Sequence, residues 1–230
     1  MRTSSSTLRR TLATATAAGA LLALTAIPGG TAYASPERGK RPATCEFRPT
    51  PDRPAARPVS IPKTRQKSHG TVDVRITTNY GPMVFRLDRE LAPCAVGSLA
   101  HLAKADFYDM SQCFRLTNSQ RLGVLQCGDI YRQEEGGPGY EFDDEVNPSL
   151  TYPRGTIAMG NQGPGTNGSE FFVVHSFAKI SPNYTVMGHL VSGYEALDAI
   201  VAAGIADTDL DGPPASPVWI KDVSVVGQRG

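Results

Sequence analysis

From Gly70 onward the chain alternates apolar and polar residues in short runs. In TVDVRITT (71–78), Val72, Val74 and Ile76 recur at every second position, the period that buries one face of a strand. Asn79-Tyr80-Gly81 reads as a turn. MVFRLD (83–88) resumes the alternation with Met83, Phe85 and Leu87, which predicts the second arm of a hairpin. The period then changes. Pro93 suits the first position of a helix, Val96, Leu99, Ala100 and Ala103 share one helical face, and Asp106 ends the element. Strand signals return at CFRLT (113–117), VLQCGD (124–129), GTIAMGN (155–161), EFFVVH (170–175), YTVMGHL (184–190) and PVWIKDVSVV (217–226), while residues 133–149, rich in Gly and acids, read as loop. Ser192-Gly193-Tyr194-Glu195 has the spacing of a capping box and predicts a second helix through about Ala203, stopped by Gly204. Many short strands with two helices predict a mainly β fold, a closed antiparallel barrel whose open ends the helices cover, with a sandwich as the alternative.

The stretch GNQGPGTNGSEFFVVH (160–175) contains G-x-G-x-x-G at Gly163, Gly165 and Gly168. A dinucleotide loop needs a helix directly after its glycines, because the pyrophosphate rests on the helix N-terminus. Here Phe171, Phe172, Val173 and Val174 follow, a run that favours a strand. The glycines therefore predict an ordered loop between strands, in which small residues permit positive φ and close approach of another backbone.

The two ends differ from the middle. Arg2, Arg9 and Arg10 precede the apolar run LATATAAGALLALTAI (12–27), Pro28-Gly29-Gly30 breaks it, and Ala32-Tyr33-Ala34 forms a cleavage site. This pattern predicts a secretory signal peptide over 1–34, cut after Ala34, and a secreted or extracytoplasmic product. The apolar run is short of the roughly 20 residues that span a bilayer, so no transmembrane span is expected in the mature chain. Residues 35–69 hold seven prolines and many charges and read as a Pro-rich tail or linker ahead of a domain at 70–228. The formal net charge of +1 implies no nucleic-acid partner. Removing 1–34 takes away three arginines and no acid, which leaves 20 basic against 22 acidic residues. Cys45, Cys94, Cys113 and Cys127 all lie in the mature part, an even number in an exported chain, which suggests two disulfides with three possible pairings. Their spacing does not suit zinc.

Three separated segments, CFRL…VLQCGD, GTIAMGNQGPGTNGSEFF and NYTVMGHL, in this order, resemble the cyclophilin-type peptidyl-prolyl cis-trans isomerases, and among them the exported actinobacterial kind. The resemblance covers about residues 70–228. It implies an eight-stranded barrel capped by two helices, with a substrate groove on the outside of the barrel. It implies a monomer that acts on proline-containing polypeptides without metal or cofactor, assisting the folding of exported proteins. By the same resemblance Arg115, Gln126 and Phe172 are the catalytic residues. Val124, Gly160, Asn161, Gln162, Glu170, Ile180 and Tyr184 are the substrate-binding ones. The chemistry suits these side chains. Rotation about an X-Pro bond must break amide resonance, a barrier of about 18–20 kcal/mol. No bond is made, so the protein has only to bind the twisted amide better than the planar one. The twisted proline nitrogen regains a lone pair, which an arginine can meet with an N–H.

Several positions depart from the family pattern. Phe114 stands in place of a histidine, Gly123 in place of an aromatic with Leu122 beside it, Glu170 for a glutamine, Tyr184 for a histidine, and Lys179 where some members carry tryptophan. The groove wall at Gly123 is thus either under-filled or filled in part by Leu122, and a proline-peptide binding module with little or no catalytic activity stands as the alternative function. If Arg115 lies opposite Gln126, as the resemblance implies, Cys113 and Cys127 fall near each other and Cys45 is left for Cys94. That is one of the three pairings, held as a hypothesis.

Overall fold

The computed structural model describes residues 41–131, 135–207 and 210–230. The signal peptide expected at 1–34 and the first six residues of the expected tail lie outside the described residues.

Alternation in the sequence becomes one large antiparallel sheet. Among the described residues its hydrogen-bonded order is Asp211–Gly212, Arg115–Thr117, Leu122–Cys127, Phe171–Ala178, Thr156–Met159, Val186–Ser192, Gly81–Asp88, Thr71–Thr78, Val218–Arg229 and Ser111–Cys113, with Tyr152–Pro153 added beside Phe171–Ala178. The hairpin pairs Val72 with Leu87, Val74 with Phe85 and Ile76 with Met83, so the apolar positions of both arms share the inner face. All six are buried there with the rest of the main core.

The sheet is a curled half-barrel with eleven strands, not the closed eight-stranded barrel expected. The reason lies at Phe114. A closed ring needs 111–117 as one strand paired along both edges. Instead Ser111–Cys113 pairs with Val218–Ile220, whereas Arg115 and Leu116 pair with Gln126 and Leu125. Each half is held by a different neighbour, and at the break itself the Phe114 N–H donates to the Gln126 carbonyl oxygen at 3.1 Å.

Both helices form where the periodicity places them. The first spans Pro93–Lys104 with Pro at its start, but it buries Ala95, Val96, Ser98, Leu99, Leu102 and Ala103, a face rotated from the one expected, since Ala100 is only half-buried. No acid occupies its first turn. The Glu145 carboxylate arrives from a distant loop and accepts hydrogen bonds from the Cys94 N–H at 2.9 Å and the Ala95 N–H at 2.9 Å. Burial pushes the Glu145 carboxyl above its ordinary pKa despite these bonds. The second helix, Tyr194–Ala202, lacks the expected capping box: Gly193 is its N-cap, with φ 95° and no side-chain cap bond. Ser192 is still paired with Val84 in the sheet, so its hydroxyl is not at the cap position. A Cβ at Gly193 would come within 2.2 Å of the Pro82 carbonyl oxygen, which restricts the position to glycine.

Residues 41–69 pack on the sheet. Ala43–Thr44 pairs with Arg65–Gln66, and Arg48–Pro49 pairs with Tyr140–Glu141, a short strand inside the region expected to be loop. Phe47 is buried edge-on to Tyr140 at 5.6 Å and to Phe142 at 5.4 Å. Two disulfides join Cys45 to Cys94 and Cys113 to Cys127, with Cα separations of 5.6 and 4.1 Å. The first ties the proline-rich segment to the start of the first helix and spans 49 positions in sequence. In the loop-entropy account a link of this span stabilises by about 4 kcal/mol. Replacing Cys45 and Cys94 together by serine should lower the unfolding free energy by up to that amount in urea titrations, with Phe47 losing its protection from solvent.

Candidate functional site

The Leu122–Cys127 strand sorts the site by side-chain direction. Leu125 and Cys127 face inward to the main core, while Val124 belongs to a separate apolar cluster with Phe172, Val174, Ala158, Val186 and Tyr152 on the outer face. Leu122, Val124 and Gln126 thus line an outer groove, a cavity of about 240 Å³. Phe172 lies opposite Gln126 on the neighbouring strand, 5% exposed. Its ring meets Tyr184 edge-on at 5.6 Å and Tyr152 at 6.1 Å. The Tyr152 hydroxyl donates to the Tyr184 carbonyl oxygen and accepts from the Tyr184 N–H, both at 3.0 Å, and so fixes that wall.

The polar end of the groove is a line of hydrogen bonds across neighbouring strands. Arg115 lies opposite Gln126 and donates from Nη1 to its Oε1 at 3.0 Å. Gln126 donates from Nε2 to the Glu170 carboxylate. On the other side, Arg115 Nε and Nη2 donate to the two Asp211 oxygens at 2.8 and 2.7 Å. The guanidinium beside it holds the Asp211 carboxyl below its usual pKa, and the same hydrogen bonds raise that of Arg115. Asp211 reaches this place because Asp211–Gly212 pairs with Leu116 and Thr117.

The glycine-rich loop is held by Asp144. Its Oδ1 accepts from Asn161 Nδ2 at 3.0 Å and Asn167 Nδ2 at 2.9 Å, and its Oδ2 from the Gly165 N–H at 2.8 Å. Gly163 and Gly165 take φ values of 127° and 76°, conformations that other residues rarely adopt. Gly160 lies under the Glu170 side chain, where a Cβ would come within 2.3 Å of its Oε1. The N–H and C=O of Asn161 take no hydrogen bond among the described residues, so both remain available to an extended backbone laid along the groove.

Of the sequence-predicted residues, Arg115, Gln126, Phe172, Val124, Gly160, Asn161, Glu170, Ile180 and Tyr184 surround this one cavity. Gln162 does not; it borders adjoining cavities, and its N–H donates to Thr166 Oγ1 at 2.8 Å. Sequence reasoning missed Asp211, Asp144 and Tyr152. Asp211 and Asp144 belong to loop-like, acid-rich runs whose spacing carries no period, and only the strand register brings them in. Among the described residues, no group of three or more His, Cys, Asp or Glu side chains is arranged to hold a metal ion.

Gly123 is not a gap in the groove. Its Cα–Cβ direction points away from it, where a Cβ would come within 1.9 Å of Ser176 Oγ and 3.0 Å of His175 Cε1. His175 is buried there, its Nε2–H donating to the Thr117 carbonyl oxygen at 2.7 Å, and burial holds its pKa below the ordinary value. Leu122, one residue earlier, supplies the groove wall.

The outer groove is apolar at one end, hydrogen-bonding at the other and bordered by the Asn161 backbone groups. Residues 73–225 match the family described as Cyclophilin type peptidyl-prolyl cis-trans isomerase/CLD. The Probable peptidyl-prolyl cis-trans isomerase B of Mycobacterium tuberculosis is 40% identical over 196 residues, which cover 79% of this chain and 63% of that protein. Its namesake in Mycobacterium leprae is 40% identical over 194 residues, 78% of this chain and 65% of that one. The chain thus spans less than two thirds of the length of either relative. A crystal structure of a Cryptosporidium parvum cyclophilin type peptidyl-prolyl cis-trans isomerase superposes with a TM-score of 0.59 at 29% identity, covering 68% of this chain and 98% of that one. The chain belongs to the cyclophilin-type family.

The geometry at Gly123 gives a direct test of the groove's wall. Gly123→Phe should destabilise the fold by about 1–3 kcal/mol or more, through overpacking against His175 and Ser176. Its isomerisation rate should not rise above the unaltered chain's. Denaturant midpoints and single-temperature rates measure both.

Proposed function

We propose that the chain catalyses cis-trans isomerisation of X-Pro bonds in extended polypeptides, with exported proteins as its clients. Proline sits against Phe172, between Val124, Leu122 and Ile180. Asn161 pairs through its backbone with the residues before proline. Gln126 holds the substrate carbonyl with the second hydrogen of its amide. Arg115 donates to the proline nitrogen as the amide twists. The uncatalysed reaction, at a barrier of about 20 kcal/mol, runs near 0.01 per second. The protein need supply only donors that meet the twisted state better than the planar one.

The observation that carries this reading is the bracing of Arg115. Asp211 takes two of its donors and Gln126 a third, which leaves further N–H groups on Nη1 and Nη2 without costing orientation. A donor fixed beforehand costs no reorganisation at the transition state. One observation favours the second reading, a proline-peptide binding module of low activity: the Glu170 carboxylate already engages the amide nitrogen of Gln126. The expected leader at 1–34 and the two disulfides support an extracytoplasmic place of work, in which the segment 35–69 accompanies a catalytic domain at 70–228.

A protease-coupled assay on a proline-containing peptide separates the two readings: the unaltered chain accelerates isomerisation, whereas a binding module retains the peptide without doing so. Arg115→Ala should lower kcat/KM by about a hundredfold with an unchanged circular dichroism spectrum, the usual effect of losing one transition-state donor. Asp211→Ala leaves the donor but not its orientation. It should lower kcat by about tenfold with little change in KM, since Asp211 does not line the groove.

A further inference from the structure

The N-terminal segment and the first helix border an open cavity of about 640 Å³ that shares no lining residue with the groove. Its lining includes Lys63, Arg65, Lys67, Arg89 and Lys104 and no carboxylate. None of these five cations forms an ion pair with a described residue.

Arg89 is the most telling of them. It is 8% exposed, and its donors go to neutral groups, Nη1 to the Thr71 carbonyl oxygen at 2.8 Å and Nη2 to Gln228 Oε1 at 3.2 Å. Burying a guanidinium without a counter-charge is costly, and burial accordingly lowers its pKa. The walls are fixed rather than loose. The Cys45–Cys94 disulfide holds the segment at the head of the helix, and Arg65–Gln66 is paired in a two-stranded sheet with Ala43–Thr44. Gly97 lets the segment lie close, because a Cβ there would come within 2.3 Å of Gln66 Oε1. Lys63, Arg65 and Lys67 lie outside residues 73–225, whereas Arg89 and Lys104 lie within them, so the cavity forms where the N-terminal segment meets the family domain.

We propose that this cavity binds a multivalent phosphate anion. Five cations exceed what one carboxylate can neutralise. A phosphate offers several charged acceptor oxygens, and guanidinium forks and ammonium groups suit it together. The volume admits more than one phosphate group. The same chemistry is presented by a free oligophosphate and by a lipid headgroup.

The test is calorimetric titration of the full chain with inorganic pyrophosphate at low salt, beside a Lys63→Gln/Arg65→Gln/Lys67→Gln variant. These three side chains are exposed, so the variant keeps its fold and its isomerisation rate. Binding to the unaltered chain should weaken by about tenfold or more in the variant and fall as salt screens the charges. Pyrophosphate should raise the melting temperature of the unaltered chain alone. A second arm uses vesicles of phosphatidylglycerol and phosphatidylcholine. Binding to pyrophosphate but not to vesicles assigns a free phosphate; retention on vesicles that pyrophosphate displaces assigns a headgroup. Absence of pyrophosphate binding, equal binding by the variant, or vesicle retention that pyrophosphate does not displace overturns the proposal.

Discussion

Everything at the groove depends on the period of two along Leu122–Cys127. The strand gives Leu125 and Cys127 to the core and Leu122, Val124 and Gln126 to the outside. A slip of one residue would exchange the two sets. The Cys113–Cys127 disulfide joins the strand to the segment leading into Arg115, one residue past Gln126 and two before Arg115, so the covalent link and the Arg115–Gln126 register reinforce each other. The inward half of the alternation packs the core and the outward half lines the groove, from the same six residues.

The outer face is unusual in carrying an apolar cluster of its own. Val124, Phe172, Val174 and Tyr152 are buried on the side of the sheet away from the main core. Loops rather than a second sheet cover them, held by single polar residues: Asp144 for the glycine-rich loop, and Tyr152 for the turn at Tyr184. This division gives the groove an apolar floor and a rim held by hydrogen bonds to loop backbone.

Much of this was legible in the sequence because it follows from local periodicity. The hairpin at 71–88 and both helices sit where the periodicity puts them, and most of the groove residues named by the family resemblance line one cavity. The elements that were not legible depend on long-range placement. Asp211 acts through pairing with a strand almost a hundred positions away, and Glu145 caps a helix that begins some fifty positions earlier. The capping box failed because Ser192 is claimed by the sheet. The closed barrel failed because Phe114 divides one strand between two partners. Of the two readings at Gly123, the pleat selects the one in which Leu122 forms the wall, because it turns Gly123 toward Ser176 and His175.

The contact between Gly160 and Glu170 has a consequence for how this groove changes over time. The carboxylate occupies the volume that any side chain at 160 would need. The two positions are therefore one steric unit. A lineage that acquires even a methyl group at 160 must first shorten or redirect residue 170, and that move also releases the amide of Gln126. Change at 160 thus waits on change at 170, whereas a shorter residue at 170 meets no obstacle from Gly160.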